Sequence, residues 1–295
     1  MIINQTLQQQ QREKTELILR NIYNLPPIPK VITEAMQLLD NKSTSTAELG
    51  KVISRDQGLV LKILAISNSP MYGLQRRVTS IDFALLILGF NELKNIISIL
   101  SMTEAFKNKT DQYLDHKEFW VHSFLTGSAA KRLAEDLDFY NSGEAFIGGF
   151  LHDMGISVIH RYFHSNIIQI RELVNKEGIS FREAEMQILG MDHQEISYFL
   201  LNRWNFPSSL SDAMLHHHNP SSSQQDNKML ASIIHFADYM TQKLNLGTFF
   251  YDKDFKLENE SLSFMQFKNE TEVEQFVEGY RDLFTRQIES VRYLG

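Results

Sequence analysis

Apolar positions recur along this chain at three- and four-residue spacing, and almost no stretch alternates strictly, so the pattern predicts helices throughout. After a polar start, a short helix is expected over Lys14–Tyr23. The Leu25-Pro-Pro-Ile-Pro29 stretch stops it, because proline fixes φ and disfavours helix in the residue before it. Val31–Leu39 repeats apolar residues at helical spacing. Ser45-Thr-Ala-Glu48 is a capping-box pattern opening a helix to about Ile53. Leu59–Ser67 follows and is broken by the turn residues Asn68-Ser-Pro-Met-Tyr-Gly73. Thr79 or Ser80 caps Ile81–Leu88, Gly89 closes it, and Asn91–Phe106 is helical again. The first ~110 residues therefore read as an all-helical module.

In the second half, Lys117–Leu137 sets Phe119, His122, Ala129 and Leu133 on one face, so His122 points inward. A single helix running through His152 and Asp153 to about Phe163 is expected next. Ser180-Phe-Arg-Glu183 and Asp192-His-Gln-Glu195 are capping boxes for helices ending at Gly190 and at Trp204. Pro207 introduces Leu210–Leu215, which runs into His216-His-His218. Met229–Leu244 carries Asp238 at the edge of its buried stripe. Gly247–Asn259 reads as a loop. Glu270–Tyr293 reads as one helix of near-heptad spacing that covers the core or pairs with a second copy. These segments divide the chain into a polar extension (1–20), an N-terminal helical module (21–110), a second helical domain (111–246) and a terminal loop and helix (247–295).

Composition narrows what such a bundle does. The 295 residues, 43% of them hydrophobic, are enough for one large domain or two modest ones. No run approaches the roughly 18–20 uninterrupted apolar residues of a membrane span, and Met1–Lys14 is polar and Gln-rich, unlike a signal peptide. The absence of cysteine excludes disulfides and thiolate metal sites; it fits a reducing cytoplasm and leaves imidazole and carboxylate as metal ligands. A net charge of −7 argues against a nucleic-acid partner.

The chemistry gathers around Gly148-Gly-Phe-Leu-His-Asp-Met-Gly155. Burying Asp153 in this apolar run would cost several kcal/mol without a compensating cation. Gly148, Gly149 and Gly155, each costing about 1 kcal/mol relative to Ala in a helix, suggest that another backbone or a ligand comes close. His122, His152, Asp153, His193, His217, His218 and Asp238 all lie on predicted helices or helix ends with apolar neighbours. Each histidine taken alone reads as a hydrogen-bonded core residue. Together they would leave several buried titratable groups uncompensated unless a divalent ion (Zn, Fe, Mn or Ni) joined them. His122, His152 and Asp238, with Asp153 bridging, could hold one or two such ions. His116, His160, His164, His216 and His235 read as surface or structural.

His122-Ser123, His152-Asp153-Met-Gly155 and Asp238 resemble the ligand series of the HD superfamily of metal-dependent phosphohydrolases. His193, then His217-His218, then Asp238 is similar to the extended series of the HD-GYP cyclic-dinucleotide phosphodiesterases. The first half resembles a third branch, the HDOD (HD-related output domain) family, in Leu25-Pro-Pro-Ile-Pro29, Ile53-Ser-Arg-Asp56, Asn68-Ser69, Tyr72-Gly73, Val78-Thr-Ser-Ile81 and Leu88-Gly89. His193-Gln-Glu-Ile and Arg203-Trp-Asn-Phe-Pro207 extend that resemblance, which covers roughly residues 20–245. It implies an all-α fold, with the N-terminal module packed on an HD-like helical domain, and a regulatory or scaffold role in bacterial signal transduction through protein partners. Asn68–Arg77, with Met71, Tyr72, Arg76 and Arg77, is then a candidate contact surface, although an ordinary solvated loop accounts for it as well. Many HDOD members have lost the metal ligands, whereas all seven positions here keep His or Asp. Against catalysis, Ile156 stands where HD-GYP enzymes carry Lys, and Asn219-Pro-Ser-Ser replaces the Gly-Tyr-Pro segment; Gln57, in place of the proline common after the family's Asp, is a local turn variation. The alternative function is hydrolysis of a phosphoester or cyclic nucleotide, with Asp153 as the catalytic carboxylate.

Overall fold

The structure, a computed structural model, describes residues 2–22, 29–41, 43–107, 109–246, 249, 251, 255–265, 267 and 269–291. Among these residues every regular element is a helix. In chain order they are α1 (Ile2–Arg20), α2 (Lys30–Asp40), α3 (Thr46–Ile53), α4 (Gln57–Ser67), α5 (Ile81–Ala105), α6 (His116–Asp136), α7 (Ser142–Leu151) and α8 (Met154–Tyr162). There follow α9 (His164–Glu177), α10 (Phe181–Leu189), α11 (His193–Arg203), α12 (Ser208–Leu215), α13 (Lys228–Leu244), α14 (Asn259–Met265), α15 (Glu270–Gly279) and α16 (Arg281–Val291). The chain forms two compact units: residues 1–25 with 108–278, and residues 26–107 with 279–295.

In the smaller unit, Ser45, Asp56 and Ser80 each accept the backbone N–H three residues on, as N-caps do. The Asn68 amide donates to the carbonyls of Leu64 and Val78 and accepts the Val78 N–H, which pins the loop between α4 and α5. The proline stretch expected to end the first helix lies, for residues 25–28, outside the described residues. By length and composition α5 alone among the described helices could cross a membrane. Gly89, at φ 79° and ψ 174°, breaks it, and beyond that break Leu93, Ile96, Ile97 and Leu100 are fully buried.

In the larger unit, α6, α7 and α13 pack side by side, and α11 and α12 lie against one another. Three elements differ from the sequence expectation. The polar start is no extension: α1 begins at Ile2 and docks by Thr15 and Leu19, the Thr15 hydroxyl donating to the Leu189 carbonyl at 2.7 Å. Nor is Glu270–Tyr293 one helix. It divides at Tyr280 into α15 of the larger unit and α16 of the smaller, which buries Phe284 and Val291 beside α4; residues 292–295 are outside the described set. Finally, the helix expected through His152 and Asp153 is two helices, α7 and α8, with the pair at the turn between them. The Gly155 N–H leaves the helical ladder to donate to the Ser197 hydroxyl of α11 at 2.8 Å, and this tertiary bond holds the break.

The backbone region of Gly89 is nearly closed to residues bearing a Cβ, while a Cβ placed there would meet no atom within 4 Å. Gly89→Ala therefore isolates backbone strain from packing, and it should destabilise the smaller unit by roughly 1–3 kcal/mol, read from the urea midpoint.

Candidate metal centre

Backbone contact between helices comes before side-chain contact here. A Cβ at Gly149 would lie 2.8 Å from the Thr126 carbonyl oxygen and 2.9 Å from Gly127 Cα, so α6 and α7 touch main chain to main chain. A Cβ at Gly155 would fall 2.0 Å from the His193 carbonyl oxygen, so α8 meets the start of α11 just as closely. These approaches bring α6, the α7–α8 turn and α11 to one point. The turn matters for direction, because neighbouring residues within one helix point about 100° apart. At the break, His152 Nε2 and Asp153 Oδ2 come within 3.1 Å.

All seven side chains singled out in the sequence meet there. His122 Nε2 lies 3.2 Å from Asp238 Oδ1 and 3.9 Å from Asp153 Oδ2, and His152 Nε2 is 3.5 Å from Asp238 Oδ1. His193 Nε2 and His217 Nε2 each stand 3.5 Å from the other Asp153 oxygen, Oδ1. His218 Nε2 is 3.1 Å from His193 Nε2. The donors form two sets sharing one residue: His122 and His152 on one side of Asp153, His193, His217 and His218 on the other. Asp238 joins the first set. All but half-buried His218 are buried, and His152, His193 and His217 are fully so.

Hydrogen bonds on the far side of each ring decide which nitrogen faces inward. His152 Nδ1 and His217 Nδ1 each lie 2.7 Å from a backbone carbonyl, of Gly149 and Met214 respectively. Nδ1 is then the donor, and Nε2 turns a lone pair toward the carboxylates. His193 Nδ1 is held at 2.9 Å by Glu185, a fully buried carboxylate that also accepts the His193 backbone N–H at 2.8 Å. Buried His235 orders the preceding turn: its Nδ1 meets the His217 carbonyl and its Nε2 accepts the Glu258 N–H. Four inward atoms, His152 Nε2, Asp153 Oδ1, His217 Nε2 and Asp238 Oδ1, are buried without a hydrogen-bond partner among the described residues. Lone pairs confronting lone pairs in the interior require a cation between them. Imidazole nitrogen and carboxylate oxygen suit a first-row divalent metal, so the residues present fit such an ion.

Without a metal, a proton must serve. Burial favours the neutral imidazole of His152, but the adjacent Asp153 and Asp238 charges outweigh it and hold its pKa well above the usual 6.5. Burial raises the Asp153 carboxyl, yet His152, His217 and His193 together draw it well below the ordinary carboxylate range; Asp238 is lowered similarly by His152 and His122. Burial pushes His217 down to about 4 and His218 lower than usual, with neighbouring imidazoles adding to the effect.

Glu185 escaped the sequence reading, as did Gln242, whose amide donates to Asp238 Oδ2 at 2.9 Å. Three aromatic rings lie against the centre as well: Phe249 at 5.3 Å from the His122 ring, Tyr251 at 6.0 Å from His193 and Phe255 at 5.4 Å from His218. The segment expected as a loop thus contributes a cover, in so far as its residues are described. Of the remaining histidines, His216 is half-buried near Asp212, while His116, His160 and His164 gather around Asp111 instead of standing apart.

The HDOD domain family model matches residues 25–220. An uncharacterised protein of Treponema pallidum (strain Nichols) is 24% identical over 271 residues, or 92% of this chain and 52% of its own length, so the chain spans about half of that relative. An HDOD domain protein of unknown function from Geobacter sulfurreducens has the same fold at a TM-score of 0.75 and 22% identity, over 95% of this chain and 98% of its own. A chain from Shewanella amazonensis SB2B, described as a candidate phosphohydrolase, gives a TM-score of 0.71 at 21% identity, over 93% and 97%. Likeness at these identities establishes the helical fold.

The proton that stands in for a metal sets a pH profile for chelator-treated protein. His217 and His218 titrate lower when folded than when unfolded, so the unfolded chain binds more protons below about 6.5 and stability climbs as pH rises to that value. His152 titrates higher when folded, so its contribution is complete below 6.5 and is lost as pH rises through its folded pKa. Urea unfolding in EDTA should therefore give a maximum near pH 6.5, and a saturating divalent ion should abolish the decline on the alkaline side.

Proposed function

This chain belongs to the HDOD family, and on that footing we propose that it is a bacterial signal-transduction module whose HD-like centre binds divalent metal and serves regulation. The observation that carries the reading is Asp153, one carboxylate shared between two sets of inward-facing imidazole donors, both oriented from behind by backbone carbonyls or Glu185. His122, His152 and Asp238 would hold an ion on one side of it, and His193, His217 and His218 an ion on the other. A bound divalent ion would supply positive charge to the carboxylates and Lewis acidity toward any phosphoryl oxygen that reached it.

The surroundings favour regulation over turnover. The first residue after the His152-Asp153-Met-Gly155 run is fully buried Ile156, an apolar side chain with nothing to offer a phosphate. The rings of Phe249, Tyr251 and Phe255 lie against the imidazoles of the centre and cover them on that side. In this reading the output passes to protein partners, and the Asn68–Arg77 loop of the smaller unit, with Met71, Tyr72, Arg76 and Arg77, is the surface offered to them. A second reading, phosphoester hydrolysis with Asp153 as the catalytic carboxylate, draws on the complete donor set and on the Shewanella amazonensis chain described as a candidate phosphohydrolase.

Elemental analysis of purified protein, thermal unfolding with and without Mn, Fe or Zn, and assay against bis-p-nitrophenyl phosphate and cyclic di-GMP separate the two. The regulatory reading expects bound metal, and about 2.7 kcal/mol of stabilisation at free metal 100-fold above Kd. It also expects that Asp153→Asn removes the share of that stabilisation which the buried centre supplies and that the metal-loaded protein turns over neither ester. Robust turnover that disappears in Asp153→Asn would establish the hydrolase instead.

A further inference from the structure

A second group of metal-ligand type lies in the larger unit, made of residues the centre does not use. Asp111 Oδ2 stands 3.0 Å from His160 Nε2 and 2.8 Å from His164 Nε2. Those histidines flank the junction between α8, which ends at Tyr162, and α9, which begins at His164. The spacing is His-x3-His, which recurs in zinc sites because it turns both imidazoles toward one point. Asp111 is fixed from the other side, its Oδ1 accepting the backbone N–H of Tyr113 at 2.7 Å and of Leu114 at 3.1 Å. His160 is fixed too: its Nδ1 lies 3.2 Å from Nε2 of buried His116.

We propose that Asp111, His160 and His164 form a mononuclear site for a zinc-class divalent cation, with His116 as a positioning residue behind His160. Ligand atoms on tetrahedral zinc, at bonds of about 2.0–2.1 Å, stand about 3.3 Å from one another. The three atoms here already lie within 4.8 Å of one another, two of the separations being 2.8 and 3.0 Å. Admitting an ion needs those two separations to open by about 0.3–0.5 Å, with the third already inside 4.8 Å. As a hydrogen-bonded cluster alone, the arrangement directs two imidazoles at one carboxylate oxygen. With an ion, each Nε2 gives up its proton and binds through its lone pair, and His160 keeps a proton on Nδ1 to donate to His116 Nε2. Metal-bound imidazole typically donates its other ring N–H to a neighbouring acceptor in this way. His164 is half exposed, which provides an entry path and room for water as a fourth ligand. The ion would tie the α8–α9 junction to the 111–115 segment leading into α6, a structural role separate from the centre at Asp153.

Zinc titration of the chelator-stripped full chain against a chromophoric competitor tests this. His164→Ala, a substitution at a half-exposed position, should remove one zinc equivalent and leave uptake by the buried centre unchanged. Asp111→Asn should remove the same equivalent, and His122→Ala should instead weaken uptake at the buried centre only. Cobalt substituted for zinc should give tetrahedral absorption bands whose intensity falls in His164→Ala. If His164→Ala takes up zinc with the stoichiometry and affinity of the parent, the proposal is overturned. Should the buried centre bind no zinc at all, the equivalent removed by His164→Ala still stands, so the two sites fail independently.

Discussion

A carboxylate buried in the interior is the constraint on which the larger unit depends. Moving the Asp153 charge into the interior carries a penalty of several kcal/mol, which only cations in good geometry offset. The chain gathers imidazoles for this purpose, and each is oriented before any cation arrives. Nδ1 of His152, His193 and His217 is committed to the Gly149 carbonyl, Glu185 and the Met214 carbonyl, so Nε2 faces inward in every case. One proton on His152 partly answers the demand. A divalent ion answers it more fully, because it brings more charge and accepts several lone pairs at once. Proton and metal would compete for the same atoms, so any metal occupancy of the centre would depend on both pH and metal supply.

Backbone contacts deliver this geometry, and glycine permits them. With any side chain at Gly149, α7 would be pushed from α6, and His152 from His122; with any at Gly155, α8 would be pushed from His193. The turn at His152-Asp153 is equally necessary. Its hydrogen bond from Gly155 to Ser197, whose own hydroxyl donates to the His193 carbonyl at 2.8 Å, couples the break in one helix to the start of another. Packing of α6, α7 and α11 and orientation of the centre are thus one set of contacts.

The identity of the cluster was legible in the sequence because residue type carries it: histidine and aspartate on apolar faces, with no cysteine to share the work. The capping boxes at Ser180 and Asp192 were legible for the same reason, as each is complete within four residues and both form. What escaped was whatever a distant partner decides. The apolar run on either side of His152 is continuous, so periodicity could not register a break held by Ser197, which is 42 residues away. Glu185 sits in an ordinary amphipathic helix, and its burial follows from His193 and Tyr251. The Gln-rich start offers little hydrophobic periodicity, yet Thr15 and Leu19 suffice once the α10–α11 turn lies opposite. His160 and His164 read only as surface or structural residues, because Asp111, which folding sets between them, lies 49 and 53 residues back.

The connection outward from the centre bears on what it is for. The Tyr251 hydroxyl donates to Glu185 Oε1 at 2.7 Å, while the other oxygen of Glu185 holds the ring and backbone N–H of His193. Tyr251 also stacks on Phe181, at the start of α10, with ring centroids 4.1 Å apart. Glu185 thus connects His193 directly to the phenol of the aromatic cover. A hydrolytic centre has reason to keep its ligands independent of its cover, so that substrate can pass without loosening the metal. The proposed regulatory role calls for the opposite, a rigid link from ligand to cover, and the buried Glu185 carboxylate, bonded to both His193 and Tyr251, has the geometry for it.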